Sequence, residues 1–221
     1  MSDFVQALMR QRKEAKKDDG TKERAKEIIK ILNKYDYEND ITPEIVVDLL
    51  QDLGPTFVKI GQIASTNSDI IPPEYCEVLS KLTSNVAPMD AATVHAQIEE
   101  HLGKPVEELF ASFDDTPLGS ASIAQVHRAV LHDGTVVAVK VRRPGVVDTV
   151  AYDFALIERV VGDAEKLSGD SDEGINLLDM IKELEHTSKL ELDFTNEARN
   201  IDRFYENNVN REGVTSPKCY R

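Results

Sequence analysis

VVAVKVRR, residues 136–143, follows directly on GSASIAQVHRAVLHDGT, residues 119–135, and the pair decides how this chain is read. Both contain short β-branched runs of the kind that form strands. Asp133-Gly134 between AQVHRAVLH and TVVAVKV is a strong local hairpin signal, so the two runs should pair antiparallel. Alternation in the second run puts Val137, Val139 and Val141 on one face and Ala138, Lys140 and Arg142 on the other. Lys140 therefore avoids the core. It projects beside a small residue, which leaves space for something to approach.

A small-residue loop, a hairpin and a lysine on its second strand form the arrangement with which protein kinases cover ATP. The loop offers backbone N–H groups to phosphates, and the lysine neutralises their charge. A carboxylate from a helix must hold the long lysine stem, and Glu197 is the candidate. On its own V-A-V-K is weak, because any edge strand can carry a solvated lysine.

Outward from the hairpin the period changes. Before it, from about Lys22 to Leu109, the pattern is helical. KERAKEIIKILNKY repeats apolar residues at three and four, and PEIVVDLLQDLG has Pro43 at a helix start and Gly54 past its end. GPTFVKIGQIAS, PPEYCEVLSKL and DAATVHAQIEEHLG continue the series, the last with Asp90 as N-cap and Gly103 as stop. After Pro144 come a long amphipathic helix, the acidic linker LSGDSDEG, and the helices INLLDMIKELEHTS and LELDFTNEARNIDRFYENN. VTSPKCYR, at 214–221, reads as the start of a strand.

The composition is that of a folded globular chain, with 41% apolar and 30% charged residues. Its net charge of −14 is unevenly placed: residues 1–30 carry nine Lys/Arg against six Asp/Glu, the remainder 17 against 34. So acidic a body disfavours nucleic acid, whose phosphates need clustered cations. The basic leader (Arg10, Arg12, Lys13, Lys16, Lys17) suits either an anionic membrane surface or a solvated terminus. Cys76 and Cys219 fit neither a disulfide framework nor a metal site, which points to a reducing, cytoplasmic setting or the cytosolic face of a membrane. The five histidines show no ligand spacing, so no metal site is assigned to them.

Four motifs together are more specific than any one. LGSASIAQVHRA ahead of VVAVKVRRPG, KIGQ upstream and ELDFTNEARN downstream resemble, in that order, the UbiB family of atypical protein-kinase-like proteins, over roughly residues 50–221. The resemblance implies that Lys140 is the ATP-phosphate lysine and Glu197 the helix-C glutamate that pairs with it. It implies that Gly119, Ser120, Ala121, Ser122, Ile123 and Ala124 form the alanine-rich loop, here with Ser120 and Ser122 breaking the alanine run and Ala124 where a glycine is common. Lys59, Gly61 and Gln62 match the K-x-G-Q signature, and Glu191 and Asp193 match E-x-D. In the family the K-x-G-Q helix lies across the place where a protein substrate would dock.

These residues also carry physical expectations of their own. Lys59 and Gln62 are three apart on a helix, so they share a face and can reach one partner. Lys59 meeting Glu191 or Asp193 would clasp the helical part to the sheet-bearing part, and Gly61 permits close helix approach. Alanine in place of glycine should stiffen the loop.

The expected fold is α+β: a protein-kinase-like small lobe with an antiparallel sheet, an N-terminal helical extension and inserted helices. Residues 1–21 form a basic leader, 22–109 the extension carrying K-x-G-Q, and 110–221 the lobe, with strands in 110–142 and from 214 onward. The resemblance implies ATP and Mg²⁺ as cofactors. It also implies a lipid or membrane surface and lipid-biosynthesis proteins as partners, and a role in ubiquinone or other isoprenoid-lipid metabolism. A kinase's second lobe supplies the catalytic aspartate and the metal ligands; none follows Glu197, so we expect an N-terminal part without catalysis of its own. The alternatives are a non-catalytic nucleotide- or lipid-sensing adaptor and a helical interaction module.

Overall fold

The computed structural model describes residues 19–35, 41–66, 68, 71–82, 86–168 and 177–220. Most of the basic leader and most of the acidic linker fall outside them. In chain order the elements are α1 (Asp19–Leu32), α2 (Pro43–Leu53), α3 (Pro55–Ala64), α4 (Pro73–Leu79), α5 (Ala91–Leu102) and α6 (Val106–Leu109). The strands β1 (Ser112–Phe113), β2 (Gly119–Ser120), β3 (Ala124–Val130) and β4 (Val136–Arg142) follow, then α7 (Val146–Ser168), α8 (Leu177–Leu192) and α9 (Phe194–Asn208).

The helix boundaries have local causes. Thr42 caps α2 ahead of Pro43, and the Asp90 carboxylate accepts the Thr93 N–H at 2.8 Å to start α5. The apolar stripes of α1 and α7 meet in the largest core cluster, with Ala25, Ile28 and Leu32 against Val150, Phe154 and Ile157. Leu53, Phe57, Ile181 and Leu192 bring α2, α3 and α8 to the same core. A second cluster, around Val58, Leu79 and Leu82, joins α3 to α4 and the residues after it.

β3 is the hub of the antiparallel sheet. β1 and β2 pair with its two ends along one edge, and β4 runs along the other from Ala124↔Arg142 to Val130↔Val136. The hairpin expected at Asp133-Gly134 closes there: the Gly134 N–H donates to Leu131 O at 2.9 Å, and Gly134 takes φ 86°. That left-handed residue lets a three-residue loop match the strands' twist. The strand expected from residue 214 is absent among the described residues; 214–220 run without a ladder partner. Pro217 has no N–H to give to a ladder.

Candidate functional site

The sheet aims Lys140 by alternation. Val139 and Val141 turn towards Val94, Ile98 and Val106 of α5 and α6, which cover that face. Lys140 leaves from the other face, where Nζ donates to Glu197 Oε2 at 2.5 Å. The ammonium also sits 4.5 Å from the centre of the Phe194 ring, a cation–π contact. Two residues on, Arg142 donates to Leu192 O at 2.9 Å, so β4 grips the α8–α9 junction with two successive outward cations.

That junction is a designed break. Asp193 leaves helical geometry, and its carboxylate accepts the N–H of Thr195 at 3.0 Å, capping α9. Those hydroxyl and N–H bonds from Thr195 hold the Asp193 carboxyl below its ordinary pKa. Glu191, still in α8, pairs instead with Lys59 of α3. The two acidic residues of E-x-D thus do different jobs: one reaches the K-x-G-Q helix, the other starts the helix that carries Glu197.

Lys59 and Gln62 line one cavity of about 540 Å³, but they do not share a partner. Gln62 Nε2 donates to Leu82 O at 2.9 Å, back towards the helical part, because Leu82 packs beside α3 where Lys59 does not reach. Gly61 lies at a close approach: a Cβ there would stand 2.6 Å from Leu82 Cδ1 and 2.7 Å from Leu50 Cδ1.

The small-residue segment is a strand end and a tight turn rather than an open loop. Gly119 and Ser120 pair with Val126 and Gln125, the Ala121 N–H donates to Ala124 O at 2.8 Å, and Ser122 and Ile123 form the tip. Gly119 does not have a positive φ, so its place needs no glycine-specific conformation. Ala124 is buried as the first residue of β3, and Ile123 packs on the main core. The turn stands between two cavities. Ala121, Ser122 and Ile123 face the smaller one, while Ile123 also lines an open cleft of about 1030 Å³ shared with Lys140, Glu197, Asn200 and Ser216.

Sequence reasoning missed three features around this site. Arg143 donates to three neutral oxygens near the turn. Phe194 shares Lys140 with Glu197. A chain of buried polar groups runs through β3: the Met89 N–H donates to Gln125 Oε1, Gln125 Nε2 contacts His127 Nε2 at 3.1 Å, and His127 Nδ1 contacts Asp114 O at 2.9 Å. The last contact makes Nδ1 the protonated nitrogen, leaving Nε2 to accept from Gln125. Apolar periodicity is blind to such groups, because their burial depends on partners far away in sequence. Phe194 alone carried a signal, an aromatic next to the E-x-D motif.

Among the described residues no helix is long and apolar enough to cross a membrane. The family model for the ABC1 atypical kinase-like domain matches residues 81–221. The chain is 40% identical over 171 residues to the "Probable protein kinase UbiB" of Pseudomonas putida, covering 77% of this chain and 32% of that protein. It is 38% identical over 203 residues to a protein from the hydrogenase 1 5' region of Clostridium pasteurianum, covering 88% of this chain and 38% of the other. In three dimensions it is similar to the protein in the complex structure of Rv3197 with erythromycin from Mycobacterium tuberculosis, with TM-score 0.49, 32% identity, and coverage of 77% of this chain and 44% of that one. The chain spans about a third of the length of the curated relatives named here. With the family model covering well over half of its residues, the chain belongs to the UbiB/ABC1 family of atypical kinase-like proteins.

Proposed function

We propose that Lys140 and Glu197 are the phosphate-holding end of a nucleotide site, and that the full-length protein binds ATP as an atypical kinase or ATPase. The supporting observation is the half-exposed Lys140–Glu197 pair on the wall of an open cleft beside the small-residue turn. Glu197 and the Phe194 ring hold the ammonium in place, which spares a bound ligand the cost of ordering a long side chain. Lys140 would neutralise phosphate oxygens, while the tip N–H groups of Ser122 and Ile123 lie on the same turn. ATP, when bound, supplies a transferable phosphoryl group.

Among the described residues no three His, Cys, Asp or Glu side chains are grouped to hold a metal ion. These residues do not by themselves make a Mg²⁺ site. A role in ubiquinone or other isoprenoid-lipid metabolism at a membrane is part of the proposal, supported by the UbiB name of the relatives.

Titrating the full-length protein with ATP in the presence of Mg²⁺ tests this. Lys140→Ala and Glu197→Gln should each weaken binding about tenfold or more, the loss expected when a charge-assisted contact goes. Equal binding by wild type and Lys140→Ala removes the site assignment. Binding without turnover by the full-length protein turns the reading towards a nucleotide-sensing adaptor.

A further inference from the structure

The small-residue turn is gripped by a residue outside it. Arg143 follows β4 directly and continues the β3–β4 ladder, its N–H donating to Ile123 O at 2.9 Å. Its guanidinium then reaches back beneath the same turn. Nε donates to Ala121 O at 2.9 Å, and Nη2 donates to Ser120 Oγ at 2.8 Å and to Ala87 O at 2.8 Å. One residue therefore holds both arms of the turn, at 120, 121 and 123, and ties them to the segment ahead of α5.

That segment is anchored a second time, since the Met89 N–H donates to the fully buried Gln125. No carboxylate pairs with Arg143 among the described residues. Its charge is committed to neutral oxygens, and burial lowers its pKa from the ordinary value. An arginine fork suits this geometry because its donors are planar and fixed relative to one another; an ammonium carries the same charge without that geometry.

We propose that Arg143 is a positioning residue that locks the Ser120–Ala124 turn and so fixes how its tip faces the cleft. The Ser120 hydroxyl gives this lock one acceptor within the turn, and the Ala121 and Ile123 carbonyls give the others. Its consequence for a ligand rests on the nucleotide reading above; the lock itself does not.

Amide hydrogen exchange on the full-length protein separates the two. Residues 119–124 report the turn, and 136–142 serve as reference within the same sheet. Arg143→Ala should speed exchange over 119–124 about tenfold, as expected when charge-assisted hydrogen bonds are lost, and leave the reference strand within about twofold. Arg143→Lys keeps the charge and should behave nearly as Arg143→Ala does, while Ser120→Ala, which removes one acceptor, should give a smaller rise. Unchanged exchange at 119–124, or an equal rise in both segments, overturns the lock. If Arg143→Ala does not fold, the other two variants decide by the same criterion. In a second arm, Arg143→Lys should bind ATP about tenfold more weakly than wild type. Wild-type-like binding with a loosened turn overturns the positioning role, whereas a wild type that binds no ATP sinks the nucleotide reading and leaves the exchange result standing.

Discussion

Arg24 and Asp153 meet inside the helical core with side chains 9% and 0% exposed, whereas Lys140 and Glu197 meet on the cleft wall at 36% and 50%. Both are short ion pairs across long stretches of sequence, yet their surroundings give them opposite uses. The buried pair is fully engaged. Arg24 reaches Asp153 at 2.7 Å and Leu53 O at 2.5 Å, and the Thr56 hydroxyl donates to the other Asp153 oxygen at 2.7 Å. Burial works to lower the Arg24 pKa, but the hydrogen bond and charge of Asp153 outweigh it and raise it. Such a pair cannot open without stranding a charge, so it fixes α1, α3 and α7 to one another. The cleft pair is half-exposed and worth little to stability, so it holds its lysine at the cleft wall without fixing the fold.

The comparison breaks most visibly at Asp153. Asp153→Asn removes the buried partner of Arg24 and leaves it only the exposed Glu27 at 2.6 Å as counter-charge. That should cost about 3 kcal/mol in denaturant unfolding, the lower end for breaking a buried pair. A loss under about 1 kcal/mol would mean that water reaches the pair and that burial does not separate the two regions. Next in size is Gly61→Ala on the K-x-G-Q helix. The new methyl meets Leu82 and Leu50 head on, and overpacking of that kind costs about 1–3 kcal/mol. A neutral result would show that the Leu50 and Leu82 side chains give way without strain.

Lys140→Ala should change stability by less than about 1 kcal/mol, because the pair it removes is largely exposed. A larger loss, measured the same way, would make Lys140 structural and erase the contrast with Arg24. The smallest effect concerns the exposed caps. Hydrogen bonds from Thr93, Thr135 and Thr195 hold Asp90, Asp133 and Asp193 below the ordinary aspartate pKa. A carboxylate with a depressed folded-state pKa binds its proton more readily in the unfolded chain. Its contribution is therefore present at neutral pH and fades as pH falls through the acid range, from about pH 5 downwards. Thermal unfolding midpoints between pH 7 and pH 3 should fall, and Asp90→Asn should flatten part of that fall; an unaltered profile would remove Asp90 from the account.

The cleft pair was easier to read in the sequence than the core pair, although the core pair matters more to folding. Lys140 stands at a fixed phase of a strand whose valines declare the buried face, and Glu197 lies in a motif with its own spacing. Arg24 and Asp153 sit on helices whose apolar stripes gave no warning that two charges lay between them. β3 shows the same limit: its buried face carries Gln125, His127 and Ala129, while Val126 and Val130 are only partly covered. Polar groups can go inside when each finds a partner, and here the partners are 36 residues away for Gln125 and 13 for His127. Gln62 misled for a related reason. Sharing a helix face with Lys59 set where its side chain begins, but the carbonyl it reaches belongs to a segment whose position depends on packing.

From its order of residues alone, this chain settled most of its helices, the β3–β4 hairpin and the face from which Lys140 leaves, because caps, turn chemistry and alternation act over a few neighbours. The helix expected to start at Leu190 is misplaced, since α8 runs to Leu192 and α9 starts at Phe194. Only the folded arrangement decided which carboxylate Lys59 meets, that Asp193 caps a helix instead of joining the clasp, and that Arg143 closes under the turn. Those outcomes depend on distances between segments dozens of residues apart, and such distances are set when separate apolar faces pack together.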